Sequence, residues 1–148
     1  FTLFIMYLDQ FKKINAPDGH VGGDKGLQIV ATLVKGAVRD IDRFGRYGGE
    51  EFAIIFPGHG ISDAMKIAET LRDKVEGLKM PASGDSGRDF VTLSIGCASY
   101  KPNSNVPLSA DALIKYADER LYKAKEAGRN SVEGGVITAD VSSSVCLS

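Results

Sequence analysis

Apolar residues recur at spacings of three and four along three stretches of the chain, a pattern that places them on one face of a helix. The first stretch covers about residues 23–38, and the second begins near Ser62, a candidate N-cap, and ends near residue 78. The third follows Ser109, another candidate N-cap, and stops at Gly128, a residue type that favours the left-handed conformation common after helix ends. The pattern therefore predicts three amphipathic helices.

Three other parts of the chain have the patterns of β-strands. Residues 1–8 are almost continuously apolar, as in a buried strand. Residues 91–98 alternate larger with smaller side chains, which predicts a strand whose small-residue face lies under a helix. Two short apolar segments within residues 43–56 flank Gly48 and Gly49, which accept the positive φ angles of a tight hairpin. The order strand, helix, hairpin, helix, strand, helix predicts an α+β fold with helices packed on a mixed sheet.

Composition limits the classes of protein to which this chain can belong. With 148 residues, of which 43% are hydrophobic and 25% charged, the chain can bury one core of ordinary size. Its formal net charge of −1 gives no field to attract nucleic acid, so no nucleic-acid partner is expected. The longest apolar run is far shorter than the roughly 18 residues of a membrane helix, and two cysteines fit a reducing compartment. We therefore expect a cytoplasmic domain with no membrane segment of its own.

The two ends of the chain suggest how the domain is bounded. The chain opens directly on a predicted strand, so we expect it to be a piece of a longer protein. After Asn130 the sequence turns to Gly134 and Gly135 and then to a Ser-rich stretch with little periodicity. We therefore expect residues 133–148 to form a tail or linker.

The hairpin predicted at Gly48 and Gly49 is followed at once by two carboxylates. Glycine lets the backbone approach a ligand closely, while Glu50 and Glu51 project in different directions. Carboxylate oxygens are the ligands that hard divalent cations seek. A metal site is one interpretation of these residues, and a solvent-exposed hairpin with two surface glutamates is the other.

The residues around this hairpin belong to a larger set of motifs. The set comprises residues 9–15, 19–20, 23–24, 46–52, 91–96 and 117–130. In order and spacing these motifs resemble those of the GGDEF family of diguanylate cyclases, over about residues 1–132. The resemblance implies a cyclase-type palm, in which a central mixed, mostly antiparallel sheet is flanked by helices. It also implies a homodimer that joins two GTP molecules into cyclic di-GMP, under the control of an upstream sensor domain.

The resemblance implies a metal site and also a departure from it. Glu50 and Glu51 match the acidic positions that hold Mg²⁺ or Mn²⁺ and handle protons, with the backbone carbonyl of Leu8 as a further ligand. On the first strand, however, Tyr7 stands where the family has a metal-binding carboxylate, and a neutral phenol does not replace that ligand at neutral pH. Asp9 points to the same strand face but lies about 7 Å farther along. Two hypotheses remain open: an active cyclase, and a degenerate domain that acts as a GTP or cyclic di-GMP receptor or as a dimerisation module.

The resemblance also implies a GTP site. The implied residues are, for guanine, Asn15, Asp24 and Leu27, and for the phosphates, Gln10, Phe11, Lys12, Lys125 and Arg129. Apart from the resemblance, Asn15 would suit a turn and Asp24 would suit a helix start. Lys125 and Arg129 would equally suit a solvated basic face near a helix end.

A third implied site is inhibitory. Arg39 stands nine residues before Gly48, and Arg39 with Asp42 matches the family's Arg-x-x-Asp motif, which binds the product and restrains catalysis. Arg72 is a candidate for a further arginine of this site. Without the resemblance, Arg39 and Asp42 would be an ordinary ion pair between residues three apart.

Overall fold

The computed structural model describes residues 2–11, 26–46, 50–81, 90–100 and 109–137. The strands are β1 (Thr2–Asp9), β2 (Arg43–Arg46), β3 (Glu51–Phe56), β4 (Thr92–Tyr100) and β5 (Val132–Ile137). The helices are α1, described over residues 26–37, α2 (Ile61–Gly77) and α3 (Ala110–Glu126). No helix within these ranges is long and apolar enough to cross a membrane.

The strands form a five-stranded sheet in the order β2-β3-β1-β4-β5. β1 lies at the centre and runs antiparallel to β3 and β4, whereas β5 runs parallel to β4. β1 suits this place because almost all of its residues are buried, with apolar side chains on both faces. The predicted α+β fold, a mixed and mostly antiparallel sheet with flanking helices, is confirmed.

The sheet has a helical layer on each face. On one face, Phe4 and Leu93 lie in a core shared with α1 and α2. On the other face, Ile5 and Ala98 lie in a core shared with α3. A Cβ atom on Gly96 would run into the backbone of α3, so the missing side chain lets this helix lie close to the sheet. The prediction that a helix covers the small-residue face of this strand is confirmed.

The helix ends agree with the sequence in two of three places. Ser109 caps α3, since its Oγ accepts a hydrogen bond of 3.1 Å from the N–H of Ala112. Gly128 follows α3 with a φ of 112°, in the expected left-handed region. The N-cap of α2, however, is Gly60 with no side-chain hydrogen bond. The prediction of Ser62 as N-cap is therefore wrong.

The far edge of the sheet corrects the predicted end of the domain. A tail was expected from residue 133, but β5 continues to Ile137 and pairs with β4. The two glycines that suggest a linker have a packing role instead, because Gly134 leaves room for a methionine of α2 and Gly135 for a tyrosine of α3. Residues 138–148, the rest of the predicted tail, lie outside the described residues.

Candidate functional site

The C-terminal end of β1 lies beside the start of β3, where the predicted metal ligands stand. Tyr7 pairs in the sheet with Glu51 of β3 and with Ser94 of β4. The N–H of Leu8 donates a hydrogen bond of 3.1 Å to the carbonyl oxygen of Glu50. Glu50 and Glu51 are both half-buried. The structure thus brings both glutamates and Leu8 to the edge of the sheet that Tyr7 occupies.

Two of the predicted phosphate-binding cations lie against the Tyr7 ring. The Nζ atom of Lys125 is 3.8 Å from the ring centre, and the Cζ atom of Arg129 is 5.8 Å from it. Both distances fall within the range over which a cation is attracted to an aromatic face. The end of α3 and the turn after it therefore place these cations at the same edge as Glu50 and Glu51.

The Tyr7 hydroxyl stays protonated at neutral pH. Burial is the main cause that raises the pKa of Tyr7 above its ordinary value, and the negative charge of Glu50 raises it further. The positive charge of Arg129 opposes this rise without cancelling it. Tyr7 therefore presents a neutral phenol to this site, which is a poor substitute for a carboxylate as a metal ligand.

Asp9, two residues along the same strand face, is fully buried and accepts hydrogen bonds from several groups. Its Oδ2 accepts from the hydroxyls of Thr92 and Ser94, both at 2.8 Å, and from the N–H of Asn130 at 3.1 Å. Its Oδ1 lies 3.4 Å from Nη1 of Arg129. Asp9 thus ties β1 to β4 and to the turn after α3. Moving it to replace the missing metal ligand would break all of these bonds.

The donors around Tyr7 do not fit a preformed site for two divalent ions. In the part of the chain that the structure describes, no three or more His, Cys, Asp or Glu side chains are grouped to hold a metal ion. Glu50 and Glu51 come from one hairpin, and the neighbouring strand adds a neutral ring with the Lys125 ammonium upon it. A positive charge at that place repels a cation. The metal site implied by the resemblance is therefore incomplete.

The predicted guanine pocket is described only in part. Leu27 is half-buried on α1. Together with Phe44 and Phe52 it lines a cavity of about 260 Å³ between α1 and the hairpin. Asn15 and Asp24, the residues predicted to read the guanine edge, lie outside the described residues.

The predicted phosphate loop is likewise described only at its start. Gln10 has a φ of 67°, a left-handed conformation directly after β1. The Phe11 side chain is buried in the core close to Gly26 of α1. Its ring is therefore structural, and only its backbone remains for the predicted contact with phosphate. Lys12 and the hairpin tip at residues 47–49 lie outside the described ranges.

Comparison with known protein families identifies the domain. Residues 1–131 match the family model for the diguanylate cyclase GGDEF domain. The chain belongs to the GGDEF family. The resemblance inferred from the sequence motifs is confirmed.

Curated relatives of this GGDEF domain are longer proteins. The response regulator PleD of Caulobacter vibrioides is 43% identical over 135 residues, which cover 90% of this chain and 29% of PleD. Diguanylate cyclase A of Treponema denticola is 37% identical over 131 residues, which cover 88% of this chain and 34% of that protein. The chain spans about a third of the length of the curated relatives that it matches.

Solved GGDEF domains share the fold described above. The GGDEF domain of DgcB from Caulobacter crescentus, in complex with c-di-GMP, is 32% identical with a TM-score of 0.77, and the match covers 90% of this chain and 76% of that one. The active GGEEF domain of a diguanylate cyclase from Vibrio cholerae is 28% identical with a TM-score of 0.75. This match covers 90% of this chain and 81% of that one. The likeness to both structures supports the topology of the sheet and helices.

Arg39 of this GGDEF domain is paired with Asp42, three residues later, a contact that both the inhibitory motif and an ordinary ion pair would give. Its Nη2 donates to Oδ1 of Asp42 at 2.8 Å and to the carbonyl oxygen of Pro57 at 2.6 Å, while its Nε donates to Oδ2 of Asp42 at 3.2 Å. Burial alone would raise the pKa of Asp42, but hydrogen bonds from the Arg39 side chain and backbone hold it below its ordinary value. The Arg39 side chain is 43% exposed and that of Asp42 is 1% exposed. Asp42 therefore fixes an arginine that still faces solvent.

Arg72, predicted as a further inhibitory residue, contacts other side chains. Its Nε donates to Oε2 of Glu69 at 3.0 Å, and its Nη1 donates to Oδ1 of Asn130 at 3.0 Å. These bonds join α2 to the turn after α3. In the described part of the chain, the hydrogen bonds and ion pairs of Arg72 do not include Arg39 or Asp42.

Proposed function

We propose that this GGDEF domain binds GTP and takes part in cyclic di-GMP signalling with a cyclase activity that is strongly reduced or absent. The observation that carries the proposal is the position of Tyr7, which pairs with Glu51 of β3 and lies under the ammonium group of Lys125. In the family pattern this strand position holds a carboxylate. A neutral phenol removes one metal ligand and leaves the phosphate-binding cations in place.

The charges at this edge of the sheet support GTP binding. Lys125 and Arg129 match the positions that hold the terminal phosphates in the family, and they lie 3.8 and 5.8 Å from the centre of the Tyr7 ring. A guanidinium group can hold phosphate oxygens with two hydrogen bonds. Leu27 lines a cavity beside the hairpin, where the resemblance implies the guanine base.

The reduced turnover follows from the metal ligands. Condensation of two GTP molecules needs divalent ions that neutralise the charge developing on the transferred phosphate. The resemblance implies carboxylates from both β1 and the hairpin, yet β1 supplies Tyr7 and only Glu50 and Glu51 remain. We therefore expect at least about a hundredfold less turnover than in a variant with the carboxylate restored.

A second candidate function is full diguanylate cyclase activity. The observation that favours it is that Glu50 and Glu51 are both present beside Tyr7. Mg²⁺ or Mn²⁺ would then be held by the hairpin and by the phosphates of GTP. Each domain of a homodimer would hold one GTP. The 3′-hydroxyl of each would attack the α-phosphate of the other, and each displacement would break the bond between the α- and β-phosphates and release pyrophosphate.

Product formation distinguishes the two candidates. The native domain and the Tyr7→Asp variant are incubated with GTP and Mg²⁺ or Mn²⁺, at protein concentrations high enough for dimers, and cyclic di-GMP is measured by chromatography. We expect the variant to form product and the native domain to form at least about a hundredfold less. Comparable rates would favour the active cyclase. Failure of the native domain to bind GTP in calorimetry would refute the GTP site itself.

We further propose that the Arg39–Asp42 pair binds cyclic di-GMP. The exposed part of the Arg39 guanidinium supports this role, because arginine can grip a phosphate or a guanine edge with two hydrogen bonds. Calorimetry with cyclic di-GMP should give at least about tenfold weaker binding for Arg39→Ala. Lys115→Ala, a change at an exposed cation of α3 on the other face of the sheet, is the control. Binding that is unaffected by Arg39→Ala would remove the site.

A further inference from the structure

Tyr7 changes the charge of the nucleotide site as well as its ligands. Three carboxylates, Glu50, Glu51 and Asp9, and two cations, Lys125 and Arg129, act on the ring. Asp9 is itself paired with Arg129. A carboxylate at position 7 would make this group more negative by one charge. It would also stand close to the Lys125 ammonium, whose Nζ atom is 3.8 Å from the ring centre.

This difference bears on how a triphosphate is held. GTP is a polyanion, and like charges a few ångströms apart repel strongly in a half-buried site. An acidic site therefore takes up a triphosphate with a divalent cation between the two, as Mg²⁺ sites do. Each carboxylate that a site lacks lowers its dependence on that bridge.

The aromatic ring holds Lys125 in place without neutralising it. A cation–π contact orients the ammonium over the ring face, and its N–H groups can still donate to phosphate oxygens. An aspartate at the same position would instead form an ion pair with Lys125. Burial raises the pKa of Asp118, and the charge of Lys125 opposes this rise. Tyr7 adds no further carboxylate that would compete with a ligand for this ammonium.

Arg129 is held by an ion pair with Asp9. Asp9 lies 3.4 Å from its guanidinium, and the Arg129 side chain is still 38% exposed. The charge of Asp9 is shared among the hydrogen bonds that it accepts from Thr92, Ser94 and Asn130. The guanidinium is therefore positioned and can still meet a phosphate.

We propose that this GGDEF domain binds GTP without a divalent metal ion, and that Tyr7 is the residue that removes the metal requirement. The inference rests on the GTP binding proposed above. Lys125 and Arg129 supply the positive charge that a metal ion would supply beside a carboxylate.

Calorimetry with a non-hydrolysable GTP analogue tests the inference, in excess Mg²⁺ and in excess EDTA. For the native domain we expect the Kd in EDTA to stay within about threefold of the Kd in Mg²⁺. For Tyr7→Asp we expect binding at least about tenfold weaker in EDTA than in Mg²⁺. Tyr7→Phe keeps the ring and loses the hydroxyl. Its Kd in EDTA should therefore also stay within about threefold of its Kd in Mg²⁺.

Two further measurements distinguish the effect of the charges around Tyr7 from a general disturbance of the fold. Lys125→Ala should weaken binding in EDTA by at least about tenfold, whereas Lys123→Ala, at an exposed lysine of the same helix, should change it by less than about twofold. Mn²⁺ alone, followed by electron paramagnetic resonance, gives a readout without nucleotide. Tyr7→Asp should bind Mn²⁺ more tightly than the native domain does.

The failures of the two proposals are distinguishable. A native Kd that rises more than about tenfold in EDTA would overturn the metal independence and leave GTP binding intact. Absence of binding in both buffers would overturn the proposed function, and this inference with it. Equal metal dependence of the native domain and Tyr7→Asp would overturn the role of Tyr7.

Discussion

Removing the Asp9 carboxylate tests how the turn after α3 is held. In Asp9→Ala, two hydroxyls of β4 and the N–H of Asn130 lose the acceptor that they share. The carboxylate is fully buried, so water cannot take its place without entering the core. Arg129 also loses a partner, but its side chain is 38% exposed and can be solvated.

The magnitude follows from the donors left unpaired. A buried donor without a partner costs about 1–3 kcal/mol. Hydroxyls can rotate towards other acceptors, so each counts for about 1 kcal/mol, whereas the N–H of Asn130 is fixed by the backbone and counts for about 1–2 kcal/mol. The expected loss for Asp9→Ala is therefore about 3–4 kcal/mol, a large share of the roughly 5–15 kcal/mol by which domains are stable. Asp9→Asn keeps one oxygen and should lose about 2 kcal/mol.

Urea unfolding followed by circular dichroism measures this loss, and an unchanged m value confirms that the same surface is exposed on unfolding. Asp73→Ala, at an exposed aspartate of α2, is the control and should change the free energy of unfolding by less than about 0.5 kcal/mol. A loss below about 1 kcal/mol in Asp9→Ala would refute the reasoning, because the three donors would then have found other partners.

Other predictions concern packing and pH. Gly96→Ala places a methyl group against the backbone of α3 and should lower the free energy of unfolding in urea by about 1–3 kcal/mol. Gly36→Ala, at a helical position with open space around it, should raise the same quantity by up to about 1 kcal/mol. The lowered pKa of Asp42 stabilises the fold above the pKa of an unfolded aspartate, about 4, and this stability is lost as pH falls through the lower folded pKa. In Arg39→Ala the melting temperature should therefore fall less steeply than in the native domain as pH is lowered below about 4.

The helices and the hairpin could be predicted because each leaves a local pattern in the sequence, whereas β5 does not. Residues 132–137 include Gly134 and Gly135, the pair that suggests a linker. The strand forms because α2 and α3 both close onto these glycines and because β4 supplies its hydrogen-bond partners. A strand specified by its neighbours cannot be recognised from its own composition.

The role of Asp9 also depends on residues far away in the sequence. The alternation of β1 places Asp9 on the same face as Tyr7, but the register of the sheet pairs it with Thr92, 83 residues later. That register is set along the whole length of β1 and β4. The only local signal was that Thr92 and Ser94, two hydroxyl residues, lie on the small-residue face. This signal indicates packing under a helix and gives no indication of a buried carboxylate.

The position of Lys125 over Tyr7 follows from the packing that sets the fold. α3 presents the backbone of Leu121 to Gly96, and Gly96 pairs with Ile5 of β1. Lys125 lies one helical turn beyond Leu121, about 6 Å along the helix. Tyr7 lies two residues beyond Ile5 on the same face, about 7 Å along the strand. Because these two steps nearly match, the close approach at Gly96 brings the ammonium onto the ring. A change that lifts α3 there would therefore weaken the proposed phosphate site together with the core.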